Sequence, residues 1–402
     1  MTMPHSQLRT LMNQQMGATA AARVVQTLGE HGTLSATQIA RITGLAKSTI
    51  SAALSSLRAS DMVIEVPSAV RDRSVGAGRP AISITLNPAV GTCVGVLLGG
   101  EHIQVILADV THTVISDASK PMASDYTPDE AVATASAMIW EAYRSRDLSL
   151  ETMLGVGIAV AGPINPRDGK ILRASGVPTW TGVNIADEFK RVLGCPVIAE
   201  NESNCSAVAE LMWGVATGYE DFVFLTMDVA VGGAVVSRGQ LLSGHAGAAG
   251  EFGHICVDPN GAQCRCGKRG CLELYAGLEE PLARYTSESR QQLTIAEVVS
   301  RALEGDQSCR AMIAEVARVA GHGLGIISSV IDPGLVVVGG RLAMAGELLL
   351  SPLRTSYQKH SLVRQSGPEV DTDTLVLGSA FSGRGACLGA VGMVLRNCGR
   401  SG

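Results

Sequence analysis

Between Gly244 and Glu273 the chain reads G-H-A-G-A-A-G-E-F-G-H-I-C-V-D-P-N-G-A-Q-C-R-C-G-K-R-G-C-L-E. Three thiols fall within eight residues, at Cys264, Cys266 and Cys271, with glycines between them. Two cysteines one residue apart and a third five residues on predict a tight knuckle whose sulfurs converge on one ion. His254, ten residues before Cys264, can supply the fourth corner, and a Cys3His set is a closed tetrahedral zinc site of the structural kind. Cys256 is a reserve ligand, because alternation along a strand would turn it the same way as His254. The plainer reading, unrelated reduced thiols and a surface histidine, leaves three thiols in eight residues without a reason.

A chain of 402 residues has room for two or three domains. Aromatic residues make up only 3% of it, so the core has to be aliphatic. No apolar run approaches the ~20 residues of a bilayer span, and the first residues lack a secretory pattern. Ten cysteines, three of them clustered as ligands, read as reduced thiols of a cytoplasmic protein. Charge is unevenly spread. Residues 1–88 carry eight Lys/Arg against four Asp/Glu, a surplus of +4, so the net −5 leaves −9 for the remainder. A basic head on an acidic body predicts that only the head meets a polyanion.

The head has a helical pattern. Ala22, Val25 and either Leu28 or Val24 form one stripe over residues 18–30, and His31-Gly32 ends that helix. Ser35 and Gln38 fit a capping box for a second helix burying Ile39 and Ile42. After Thr43-Gly44-Leu45, a third helix from Lys47 to Ser60 turns Ile50, Leu54 and Leu57 inward. This is a helix-turn-helix, and Lys47, Ser48, Thr49, Ser51 and Ala52 are left on the face that meets base edges and phosphates in a major groove. Strands at 62–66 and 81–86 enclose R-D-R-S-V-G-A-G-R-P, a wing with Arg71, Arg73 and Arg79. Gly78-Arg79-Pro80 can lay a guanidinium into a narrow A·T-rich minor groove.

Beyond Asn87-Pro88 the pattern alternates strands and helices in two similar halves, predicting an α/β body of two lobes. A three-strand meander is followed by a helix over 128–146, a buried strand M-L-G-V-G-I-A-V, and V-I-A-E leading into a helix at Cys205. The second half has F-V-F-L-T-M-D and G-G-A-V-V-S, the knuckle, helices near 294–305 and 308–330, L-V-V-V-G-G, L-V-L-G and a last helix from Gly385. The predicted domains are 1–88, 89–204 with the final helix 385–402, and 205–384.

The run G-x-x-G-x-A-G-E-x-G-H followed by C-x-C-G-x-x-G-C-L-E resembles the second signature of the ROK family of sugar kinases and sugar-responsive repressors. Weaker similarity extends over nearly the whole chain. The resemblance implies an actin-like ATPase fold with sugar in its cleft, held by Asn201, Glu202, Glu251, His254 and Glu273. Such residues suit the task, because carboxylates and amides pair with vicinal hydroxyls. A zinc-held ring nitrogen of His254 would fix its tautomer and aim the other N–H at the sugar. The resemblance also implies a branch of the family, since its repressors carry a winged helix ahead of the body and its kinases do not.

Phosphoryl transfer needs a phosphate loop, a carboxylate for Mg²⁺ and a base. Where ROK kinases have D-x-G-G-T, this chain has Leu97-Leu98-Gly99-Gly100-Glu101. The second phosphate loop reads Asp228-Val229-Ala230-Val231-Gly232-Gly233, with a carboxylate added and a hydroxyl lost. Glu202 replaces the family's catalytic Asp, a change that alone decides little. Gly176-Val177-Pro178-Thr179-Trp180 lacks an Asn that many relatives carry, which bears on which sugar binds. Together these predict a non-enzymatic sensor: a homodimer or homotetramer that binds a palindromic operator and a sugar effector, with structural zinc and no membrane association. The rivals are a sugar kinase with a fused DNA head and a regulator that senses a protein partner.

Overall fold

The computed structural model describes residues 4–13, 19–67, 82–172, 178–362 and 376–397. The predicted wing with Arg71, Arg73 and Arg79, and the Gly176-Val177 pair, lie outside these residues.

Among the described residues the head has four helices: α1 (Pro4–Asn13), α2 (Ala20–His31), α3 (Ala36–Thr43) and α4 (Lys47–Ala59). The capping box is present, with Gln38 N–H donating to Ser35 Oγ at 3.2 Å and Ser35 N–H to Gln38 Oε1 at 2.8 Å. Both alternatives for the α2 stripe are satisfied, because Ala22, Val24, Val25 and Leu28 are all buried. Ile42 departs from expectation and is 42% exposed. Thr43 takes the inward position one turn after Ile39, and its hydroxyl donates back to Ile39 O at 2.7 Å. The wing strands β1 (Val63–Pro67) and β2 (Ile82–Leu86) pair antiparallel, with Val63 opposite Leu86. Leu34, in the turn between α2 and α3, exchanges both backbone bonds with Ile84, docking the helices on the wing.

Among the described residues the body has two five-stranded sheets of one design. The first has the order β5-β4-β3-β6-β7, from β3 (Thr92–Leu98), β4 (His102–Asp109), β5 (Val114–Pro121), β6 (Met153–Val160) and β7 (Val197–Asn201). The second has the order β10-β9-β8-β11-β12, from β8 (Phe222–Met227), β9 (Val231–Ser237), β10 (Gln240–Leu241), β11 (Leu335–Gly339) and β12 (Val376–Gly378). Each is an antiparallel meander of three strands extended by two parallel ones. Parallel pairing requires crossovers, supplied in the first sheet by α5 (Pro128–Ser145) and α6 (Ile185–Leu193). β6 is buried along its whole length, which explains its unbroken apolar run.

Helices α7 (Glu202–Trp213), α8 (Glu273–Ala276), α9 (Glu279–Ser289), α10 (Ile295–Glu304), α11 (Gln307–Ile331), α12 (Glu347–His360) and α13 (Gly385–Asn397) complete the described chain. Helix α11 is the one described helix long and apolar enough to cross a membrane, and 61% of its apolar window is buried inside the protein. Gly95 and Gly157 are register partners on β3 and β6. A Cβ on either would overlap a carbonyl oxygen of α13, that of Cys387 or Ala390, so the two glycines let this helix lie directly on the sheet.

Contacts divide the chain into two compact units, residues 1–162, 168–205 and 387–402, and residues 163–167 and 206–386. The body boundaries differ from the predicted 204/205 and 384/385 by one or two residues. Residues 1–88 fall within the first compact unit. Leu8 and Met12 of α1 are fully buried, and α1 packs on the 3-10 turn Pro88–Val90 that opens the body.

Candidate functional site

The knuckle begins where the chain leaves the second sheet. Phe252–His254 is a 3-10 turn, and Glu273–Ala276 closes the segment as α8. Between them two short antiparallel bridges, Cys256 with Cys271 and Gln263 with Arg269, fold the chain back on itself. Cys264 N–H donates to Lys268 O at 2.7 Å and Gly267 N–H to Cys264 O at 2.9 Å, making a tight turn. Gly267 and Gly270 both have positive φ, and a Cβ on Gly270 would overlap the Asp258 carbonyl.

The ligand atoms of His254, Cys264, Cys266 and Cys271 all lie within 4.8 Å of one another. Cys264 Sγ is 3.7 Å from His254 Nδ1, and Cys266 Sγ is 3.5 Å from Cys271 Sγ. Zinc–sulfur bonds of ~2.3 Å in a tetrahedron separate ligand sulfurs by roughly 3.8 Å, so these residues fit such an ion with little movement. Cys256, the reserve ligand, is exposed, and its sulfur is not among the converging atoms. The strand alternation that would have aligned it with His254 does not apply, because His254 ends a 3-10 turn. Burial pushes the Cys264 thiol up to about 12.

Around this cluster stand the predicted sugar ligands of the second unit. Glu273 is buried. Its Oε1 lies 3.1 Å from Cys264 Sγ and 3.5 Å from His254 Nδ1, while its Oε2 accepts from Arg265 at 3.2 Å. Nδ1 is therefore the cluster-facing nitrogen of His254, leaving Nε2 as the other. Glu251 is half-buried one turn earlier. Burial, then the nearby Glu273 charge, raises its carboxyl above the usual carboxylate range.

In the first unit, Asn201 ends β7 and caps α7. Its Oδ1 accepts from Ser203 N–H at 2.8 Å and Asn204 N–H at 3.3 Å, and its Nδ2 donates to Gly162 O at 3.1 Å. Among the described residues the second amide hydrogen has no partner. Glu202 is the first residue of α7. Glu200, absent from the sequence-level site, accepts from Asn201 N–H at 2.8 Å and Asn204 Nδ2 at 3.0 Å, and burial raises its carboxyl. Its signal was faint, a lone acid after the apolar run Val197-Ile198-Ala199. Arg265, likewise missed, lay hidden between Cys264 and Cys266, two of the predicted ligands. In the head, Lys47, Ser48, Thr49, Ser51 and Ala52 are all exposed on one side of α4, as predicted, while Ile50, Ala53, Leu54 and Leu57 are buried.

A model of the ROK family matches residues 93–396. The chain belongs to the ROK family. Ahead of the ROK body, a MarR-family model matches residues 16–74, which include α2, α3, α4 and β1. The xylose repressor of Caldicellulosiruptor bescii is 27% identical over 92% of this chain and 94% of its own length. A glucokinase of Streptomyces coelicolor is 29% identical over 72% of this chain and 94% of its own. Among solved structures, a ROK family glucokinase from Streptomyces griseus in complex with glucose and AMPPNP covers 75% of this chain and 99% of its own, at 28% identity and a TM-score of 0.66. A ROK family transcriptional regulator, a homologue of the E. coli Mlc protein, shares the fold over 98% of both chains, with a TM-score of 0.74 at 20% identity. The architecture is thus a winged helix followed by a ROK body of the actin-like ATPase fold.

Within this ROK chain the two altered phosphate loops have definite structures. Leu97-Leu98 belongs to β3, and the turn after it is held by Gly99 N–H donating to His102 O at 3.0 Å and by Tyr126 OH donating to Gly99 O at 2.7 Å. Asp228 follows β8, and its carboxylate is bound by Arg341, with Nε at 2.8 Å and Nη2 at 2.5 Å. Sequence reasoning noted Asp228 but not its partner, which lies 113 residues further on.

Proposed function

We propose that this chain is a cytoplasmic, sugar-responsive transcriptional regulator whose ROK body senses rather than phosphorylates. One observation carries the reading. A winged head with a small, polar and basic recognition face precedes a ROK body whose second phosphate loop is filled by an Asp228–Arg341 ion pair. The alignment with a xylose repressor across head and body supports the same assignment.

In this reading Lys47, Ser48, Thr49 and Ser51 meet duplex DNA, and Ala46, which offers no capping oxygen, leaves the first amides of α4 for a phosphate. Arg79 reaches the minor groove. Two heads of a homodimer or homotetramer match a palindromic operator. Glu251, His254 and Glu273, with Asn201 and Glu202, bond the hydroxyls of a sugar or sugar derivative. His254, Cys264, Cys266 and Cys271 hold a structural zinc, whose contribution is to fix the knuckle that presents Glu251 and His254. The sugar regulates only through differential affinity for two states of the protein, and a typical coupling is ~1–3 kcal/mol, or about 5- to 150-fold in DNA affinity.

The similarity to glucokinases over most of their length favours a second reading, a sugar kinase with a fused DNA head. Sugar-dependent ATP turnover by the purified protein discriminates the two. The regulator reading predicts none above background, and sugar phosphate detected by mass spectrometry and lost in Glu202→Gln would replace it with the kinase.

A further inference from the structure

Helix α11 carries a histidine among glycines, Gly321-His322-Gly323-Leu324-Gly325, and α12 ends on another, His360. The two rings lie with centres 4.4 Å apart and planes inclined by 38°. The glycines permit this approach. A Cβ on Gly321 would overlap the Leu353 carbonyl, and one on Gly325 would overlap His360 itself, so α11 and α12 meet backbone to backbone here. Two further contacts fix the register of the helices. Ser356 Oγ donates to Arg318 O at 2.6 Å, and the hydroxyls of Ser328 and Tyr357 are bonded at 3.0 Å. His360 Nδ1–H donates to Ser356 O at 2.8 Å, one turn back. A carbonyl oxygen only accepts, so the proton sits on Nδ1 and Nε2 of the neutral ring carries the lone pair. Metal-binding histidines are oriented in this way, with the other nitrogen donating to a backbone carbonyl. His322 is half-buried; burial, then the His360 charge, holds it below the usual histidine range, which favours the neutral ring a metal requires. His360 is exposed, so an ion reaches the pair from solvent.

We propose that His322 and His360 form a site for a divalent transition-metal ion of the nickel, copper and zinc class, sharing no ligand with the knuckle and completed by water. Imidazole suits these ions, whereas Mg²⁺ and Ca²⁺ take oxygen ligands. Two nitrogens bound at ~2.0–2.1 Å to one ion stand roughly 3–3.4 Å apart. Inclined rings bring one pair of edges closer than their centres, so the observed pair spans that distance with side-chain rotation alone. The site adjoins the knuckle. A Cβ on Gly323 would overlap the side chain of Leu272, which lies between Cys271 and Glu273, so α11 backs that segment one residue from His322. The proposal goes beyond the regulator reading and stands whether or not the head binds DNA.

The test titrates Ni²⁺ by calorimetry into the full-length protein equilibrated with one equivalent of zinc. The unaltered protein should bind Ni²⁺, and His322→Gln and His360→Gln should each weaken that binding at least about tenfold. His245→Ala, which removes an exposed histidine outside the pair, should leave it unchanged. Mg²⁺ in place of Ni²⁺ should give no binding at this pair, so the two histidine variants should titrate with Mg²⁺ as the unaltered protein does. Circular dichroism checks that the variants are folded; if His360→Gln is not, His322→Gln and His322→Ala decide the matter. The proposal is overturned if the unaltered protein binds no Ni²⁺, or if either folded variant of the pair binds it as tightly as the unaltered protein. It is equally overturned if His245→Ala weakens binding as much as they do.

Discussion

Replacing Cys266 by serine tests the knuckle most sharply. The four ligand atoms are already within 4.8 Å of one another, so binding zinc costs the fold little rearrangement. Structural zinc is worth an apparent ~10–16 kcal/mol in small peptides at neutral pH. If four ligands share that roughly equally, losing one removes about 2.5–4 kcal/mol, or roughly 70- to 850-fold in zinc affinity. Cys256→Ser is the matched control, since Cys256 is exposed and outside the converging set. Metal analysis with chelator competition should find close to one zinc per chain in the unaltered protein and in Cys256→Ser. Cys266→Ser should release zinc to a chelator roughly a hundred-fold too weak to strip the others. It should also lose effector response while its head stays folded, because α2, α3 and α4 pack in the other compact unit. A protein that takes up no zinc and still answers its effector would refute the reasoning. So would Cys256→Ser behaving like Cys266→Ser.

Other consequences are more local. Lys47→Ala should weaken binding to all DNA sequences alike and lower the slope of log affinity against log salt by about 0.9 per head, read from binding titrations at several salt concentrations. Glu251→Gln should keep zinc and lose sugar affinity, separating the ligand role from the scaffold; unchanged affinity in calorimetry would remove Glu251 from the site. Burial raises the Glu200 carboxyl, so the folded protein holds that proton to higher pH than the unfolded chain does. Stability should therefore fall as pH rises from the ordinary carboxylate range through the raised value. Glu200→Gln should flatten that fall in denaturant titrations, since glutamine oxygen can still accept from Asn201 N–H.

Much of this was legible because local chemistry dictated it. The Ser35 capping box, the buried stripe of α2, the unbroken apolar run of β6 and the crowded thiols of the knuckle each follow from neighbours a few residues away. Illegible features had weak or conflicting local signals. Pro352 lies inside α12 and argues against a helix there, yet Leu349, Leu350 and Leu353 are buried and the helix packs along α11, so tertiary contact overrides propensity. Polar α9 shows little hydrophobic periodicity. Ile42 looked like core until Thr43, bonded to the helix backbone, took the inward place. The Arg341 partner of Asp228 was invisible for a different reason. Only the parallel pairing of β8 with β11 brings residues so distant in sequence together.

The central claim, that a sugar in the ROK body controls DNA binding by the head, is tested most directly in one titration. Genomic fragments retained by the full-length protein supply an operator, and its affinity is then measured against a panel of sugars and sugar derivatives. The account predicts that one member of the panel shifts operator affinity by about 5- to 150-fold. It predicts that a chain lacking residues 1–88 retains no operator, while Glu251→Gln binds the operator but no longer responds. Operator binding that survives removal of the head, or that no sugar alters while a protein partner does, would contradict it.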